Sequence, residues 1–347
     1  MRVLAAVDKF RGTATAAEVA GAIAGAAARL GHDCDRAPVS DGGEGWLEAF
    51  GGANRRTMVS GPLGDPVEAP WRLHRDTAVI EMARASGLHL VGGADGNDPM
   101  AASTTGTGEL IDAALDAGAR RIIVGLGGSA TTDGGFGAVR AIRVPDRLRR
   151  VELLVACDVR TTFVDAAAVF AGQKGASPAQ VQLLTGRLER LAQVYQEQYG
   201  IDVRDVPGAG AAGGLAGGLL ALGGDLVAGF DLLADELDLS NRVAAADLVI
   251  TGEGFLDAQS FDGKVVGGVA RLAARHQRRV VAIAGDVYDD APARIEACSL
   301  VERFGDERAR TQTLDCIAEV VSELLADGAI SRWSSTPSSD SCHPPAT

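Results

Sequence analysis

The sequence predicts an α/β protein in which one domain is inserted into another, and three observations carry that prediction. Short apolar runs alternate with longer stretches of helical periodicity. Glycine gathers in the turns after those runs, with 45 among 347 residues, well above the usual share of about 7%. No motif recurs at a fixed period, which excludes a solenoid.

Residues 2–7 read as a buried strand and 13–30 as the helix after it, started by a capping box between Thr15 and Glu18. A βα unit therefore opens the chain. Residues 36–39 form a second short strand. Between 55 and 82, β-rich pieces are broken at Gly61-Pro62 and Asp65-Pro66, which predicts hairpins rather than crossovers. Alternation resumes with helix 108–116, strand 121–126, helix 134–141, strand 151–156 and a long amphipathic helix over 178–199. Strand 248–251, helix 267–276, strands 280–284 and 300–304 and helix 314–326 complete the pattern. The break in style near 45–62 suggests a discontinuous domain of residues 1–46 plus 241–330, with an inserted domain over 47–240. Residues 331–347 are rich in Ser and Pro and are expected to be disordered.

A net charge of −13 argues against nucleic acid, whose phosphates demand clustered Lys and Arg. Five scattered cysteines with no CxxC or Cys/His pairing suggest neither a disulfide framework nor zinc, and fit a reducing cytoplasm. The longest uncharged stretch, 208–224, is too short and too weakly apolar to span a membrane. No signal peptide is read, because the apolar opening is cut off by Asp8 and Lys9. A homodimer is left open. Of the 33 basic residues only Lys9, Lys174 and Lys264 are lysines. A Lys persists in so Arg-rich a chain where a compact, flexible ammonium is needed. All three lie near loop glycines, as phosphate-handling lysines do, although chance placement is the competing explanation.

Four apolar runs end in an acid: Asp8, Asp41, Asp158 and Glu253. Ligands of open parallel sheets bind beyond the carboxyl ends of the strands, so these acids would converge on one crevice as Mg²⁺ ligands and a base. Taken singly, each could equally cap the next helix. Gly42 and Gly43, between Asp41 and Glu44, let backbone N–H groups face a ligand while the acids hold a cation. Gly127, Gly128, Ser129 and Thr131 follow a strand and open a helix, where they can cradle phosphate or carboxylate oxygens, with Asp133 adding a metal contact. Thr105 and Gly106 have the same layout and form a second anion nest or a plain cap. Gly252, Glu253, Asp257 and Lys264 gather two acids and a cation in one strand-loop-helix turn. Phosphoryl transfer asks for this inventory of positioning, charge neutralisation and one carboxylate to take a hydroxyl proton. Neither a Walker A motif nor a protein-kinase set is present. Two dinucleotide-like glycine patterns, 125–130 and 208–213, make an NAD(P)-dependent dehydrogenase the weaker alternative. The first lacks its acid, and the second follows Pro207 rather than a strand.

In this order the residues resemble the class I glycerate kinase family over about 2–326. The matching stretches are 41–45, 60–64, 80–87, 104–110, 127–135, 156–159, 173–175, 207–215 and 250–257 with Gly263 and Lys264. The resemblance implies a Rossmann-like parallel-sheet domain and an inserted α/β domain, with glycerate and ATP in the cleft between them. It also implies phosphorylation of D-glycerate, in many members at the 2-hydroxyl. On the combined reading, Asp158 or Asp8 accepts the hydroxyl proton, while Lys174 and Lys264 neutralise phosphate. Lys9 and the glycine-loop residues named above hold substrate and phosphates. Asp41, Glu44, Asp133, Glu253 and Asp257 organise Mg²⁺. Three departures stand out: some tens of residues usual after Ala141 are missing, 160–165 replaces an Asn-Pro-Leu pattern, and Arg11 stands where Lys is common. They leave a catalytically impaired, ligand-binding or regulatory homologue as the alternative.

Overall fold

The computed structural model describes residues 1–10, 12–40, 42–261, 264–288 and 295–326. Arg11, Asp41, Gly263 and the tail 331–347 lie outside the described residues. The strands in chain order are β1 (Arg2–Val7), β2 (Asp33–Pro38), β3 (Arg55–Ser60), β4 (Pro66–His74), β5 (Thr77–Glu81), β6 (Arg121–Gly125), β7 (Glu152–Ala156), β8 (Asp225–Val227), β9 (Leu248–Leu256), β10 (Arg279–Val287) and β11 (Glu296–Ser299). They form two sheets, β11-β10-β9-β1-β2 and β3-β4-β5-β6-β7-β8. Every pairing in the first sheet is parallel. In the second, β3 and β4 make an antiparallel hairpin across the Gly-Pro and Asp-Pro turns, β4 and β5 make a second one that turns at Arg75-Asp76, and β5 to β8 are parallel. The fold is α/β, with one sheet built from the two ends of the chain and the other from its middle.

Why β1 is apolar throughout follows from its central place. Val3, Ala5 and Val7 pack beneath the helices Ala16–Arg29 and Thr313–Ala326, while Leu4 and Ala6 face the opposite layer. A parallel strand covered on both sides needs no polar alternation. The first helix begins where expected, with Thr15 and Glu18 exchanging their capping-box hydrogen bonds. The second layer joins the sheets: Leu4, Ala6 and Ala37 share one core with Val79, Ile123 and Leu154 of β5, β6 and β7, and Trp46 is fully buried among them.

Three expectations need correction. Residues 300–304 are a helix, because Ser299 accepts a hydrogen bond from Glu302 N and caps it; the strand is the preceding Glu296–Ser299. Glu253 does not end its strand, since β9 and β10 stay paired through Ala284↔Glu253 to Val287↔Leu256. Residues 200–247, read without elements, contain β8 and the helices Leu215–Ala221, Gly229–Glu236 and Leu239–Ala244. Ala and Gly repeat there without the polar contrast that marks a helical face.

Candidate active site

The loops following β2 and β6 meet backbone to backbone. Gly127 N donates to Gly42 O at 3.2 Å. A Cβ added to Gly127 would lie 2.2 Å from Gly43 Cα, so only hydrogen fits there. Gly42 itself sits at φ +100°. The glycines that looked like ligand nests thus have a structural duty, which is to let the two sheets' loops touch.

Around this seam lies a cavity of about 500 Å³. It brings together Lys9, Gly42, Gly43, Glu44, Gly127, Gly128, Ser129, Asp158 and Lys174 from the expected set. A second cavity, of about 420 Å³, adjoins it by sharing Lys9 and Glu44, and Asp8 lines that one. Asp8 is held by its neighbours: its N–H donates to Gly252 O at 2.9 Å, and its carboxylate lies 3.6 Å from Lys9 Nζ. Asp158 Oδ1 accepts from Gly229 N at 2.9 Å, which ties the end of β7 to the start of the helix Gly229–Glu236, whose Phe230 and Leu233 are buried in the core that both sheets share.

Among the described residues, the other expected ones line neither cavity. Asp133 accepts four hydrogen bonds, from Thr104 N (2.9 Å), Thr104 Oγ1 (2.8 Å), Gly135 N (3.1 Å) and Gly137 N (3.1 Å). It fastens two helix starts to each other. Thr105 N donates to Ser103 Oγ at 3.2 Å, and a Cβ on Gly106 would lie 2.0 Å from Ser60 O, so this turn is a packing contact. Thr131 offers its carbonyl to Lys174. Gly252 is pressed against Ile283, whose carbonyl would be 2.0 Å from an added Cβ. Asp257 closes a turn with Ser260, whose N–H donates to Oδ1 at 2.9 Å. Lys264 is the residue before the helix Val265–Arg275.

Lys174 is a strongly perturbed group of the site. Its ammonium is buried and donates to Ser129 Oγ at 2.7 Å and to Thr131 O at 2.6 Å. Burial lowers its pKa from the ordinary 10.5 to about 7, against the raising influence of Asp133. The unfolded chain keeps this proton up to about 10.5 while the folded protein releases it near 7. Between those values the unfolded state binds more protons, so stability rises with pH, and below about 7 the full cost of the buried charge remains. Urea midpoints should therefore climb from about pH 7 to about pH 9, and Lys174→Met should flatten the climb. A parent protein with no climb would show that the amine stays charged.

Several lining residues carried no sequence assignment as site residues: Leu88, Cys157, Phe170, Gln173, Ala211 and Ala212. Ala212 has the left-handed φ of +52°, costly for a residue with a Cβ; nothing in its letter reveals this. Burial pushes the Cys157 thiol up to about 11, with Asp158 adding to the rise, so it is a poor nucleophile. Arg84, in the second cavity, pairs with buried Glu81 at 3.2 Å and with Glu48 at 2.9 Å. The 80–87 stretch was a signal for it, without a role attached.

A family model described as the glycerate kinase family matches residues 3–145 and 140–327. The chain is 40% identical to a glycerate 2-kinase of Escherichia coli K12 over 330 residues, covering 84% of this chain and 86% of the relative. It is 41% identical to a glycerate kinase of Bacillus subtilis 168 over 333 residues, with 84% and 87% covered. A crystal structure from Salmonella typhimurium LT2, assigned as a glycerate kinase 2, superposes with a TM-score of 0.79 at 35% identity, covering 94% of this chain and 99% of that one.

Proposed function

Because this chain belongs to the glycerate kinase family, we propose that it transfers the γ-phosphoryl group of ATP to the 2-hydroxyl of D-glycerate. The observation that carries the reading is that Asp158, Lys174, Ser129 and the two glycine loops line one cavity. Asp158 accepts the hydroxyl proton, since it is the carboxylate at the tip of β7 that faces this space. Lys9, and Lys174 in its protonated form, supply positive charge beside the phosphoryl oxygens. The name of the E. coli relative supports the 2-hydroxyl.

Mg²⁺ suits the donors present. It takes one or two carboxylates and completes its shell with water and phosphate oxygens; Glu44 and Asp8 adjoin the shared wall and would hold it. Among the described residues no group of three or more His, Cys, Asp or Glu could hold a metal by itself. When bound, the ion would neutralise charge on the phosphate oxygens. The chain division at 46/47 and 240/241 is part of the same proposal, supported by sheet membership. The shortened segment after Ala141 is spanned by a short 3-10 helix, Pro145–Arg150, none of whose residues lines the cavity, which favours an active enzyme over an impaired one.

A coupled ADP-release assay with D-glycerate, L-glycerate and related hydroxy acids tests this. D-glycerate should be preferred, and product NMR should find phosphate on the 2-oxygen. ADP release no faster with any hydroxy acid than without would end the proposal.

A further inference from the structure

Ser129 and Lys174 form a pair that direct transfer leaves half used. The two partners of the buried amine, a hydroxyl and a carbonyl, are both neutral. A buried amine so placed is best accommodated as the neutral base, in keeping with its lowered pKa. Neutral lysine has a lone pair as well as N–H groups, so it can donate to Thr131 O while accepting the Ser129 proton. Ser129 is fixed on both sides of its hydroxyl: it bridges to Gly87, and Ala130 N donates to Ser86 O at 3.0 Å. It lines the cavity that also holds Asp158. A hydroxyl at 2.7 Å from a base, on a rigid loop facing the site, is the arrangement of an activated serine nucleophile.

We propose that Ser129 receives the phosphoryl group from the nucleoside triphosphate before the hydroxy acid does, with Lys174 as its base; this rests on the kinase function proposed above. Ser129 Oγ attacks the γ-phosphorus, and the bond from phosphorus to the β–γ bridging oxygen breaks as the new one forms. The nucleoside diphosphate leaves with the electron pair, and the Ser129 proton passes to Lys174 Nζ. The resulting ammonium sits beside the new phosphate and offsets its charge. In the second half the hydroxyl of the acid attacks phosphorus and gives its proton to Asp158. The bond from phosphorus to Oγ breaks, and Oγ recovers its proton from Lys174.

The test uses the full chain with Mg²⁺ and ATP labelled in the γ-phosphate, without glycerate. The label is expected on Ser129 by peptide mass spectrometry, a chase with D-glycerate should discharge it into phosphoglycerate, and label should exchange between ATP and ADP without any acid. Ser129→Ala should lose both labelling and exchange. Lys174→Arg places a fixed charge there and cannot take the proton, and should slow labelling by about 10²-fold or more. Full-rate glycerate phosphorylation with no label on Ser129, a label that stays on Ser129 while glycerate is being phosphorylated, or normal turnover by Ser129→Ala would each overturn the covalent step. Labelling and exchange without turnover of any hydroxy acid would uphold the pair and overturn only the assignment of glycerate.

Discussion

Asp158→Asn is expected to lower kcat by about 10²–10⁴-fold, the usual contribution of a positioned general base. The amide is nearly the same shape, and its oxygen can still accept the hydrogen bond that Oδ1 now takes from Gly229 N at 2.9 Å. The link between β7 and the following helix therefore survives, and the circular dichroism and melting curve should stay close to the parent's. What the amide cannot do is receive a proton from the attacking hydroxyl. KM for both substrates should move far less than kcat, since the loss falls on the transition state. A kcat within about threefold of the parent's would remove Asp158 from this role and direct attention to Asp8, the other acid near the shared wall.

The second large effect is expected from Gly127→Ala. One methyl group would be placed 2.2 Å from Gly43 Cα, well inside the roughly 3.5–4.0 Å at which carbon atoms rest. Neither neighbour is a flexible side chain that could swing away. The loop after β2 must separate from the loop after β6, and both line the cavity. Overpacking of this kind costs about 1–3 kcal/mol or more, and a displacement near 1 Å at a reacting centre costs about 10²-fold in rate. Denaturant melts and turnover should fall together. Parent-like stability with parent-like kcat would mean that the seam is slack.

The cavity residues show which signals could be read in advance. Asp158, Lys174, Ser129 and the glycines at 42, 43, 127 and 128 announce themselves, because each combines a loop position after an apolar run with an unusual residue type. Glu253 and Asp133 carried the same signal and led elsewhere. Glu253 continues a paired strand, and Asp133 spends its oxygens on four N–H and O–H donors. An acid that caps backbone and an acid that awaits a ligand look alike as letters. Ala211 and Ala212 gave the opposite failure, since apolar letters concealed a loop bent back to the cavity wall.

By itself the sequence determined the α/β class, the hairpins at the start of the second sheet, the capped first helix and the family resemblance. These depend on periodicity, turn chemistry and motif spacing, which neighbours along the chain decide. Only the tertiary structure decided which acids face the cavity, that Gly127 and Gly43 are held by each other, and that Lys174 lies buried against Ser129. Those properties arise from contacts between residues far apart in the chain, where burial and the partners at hand set the charge of an amine and the duty of a carboxylate.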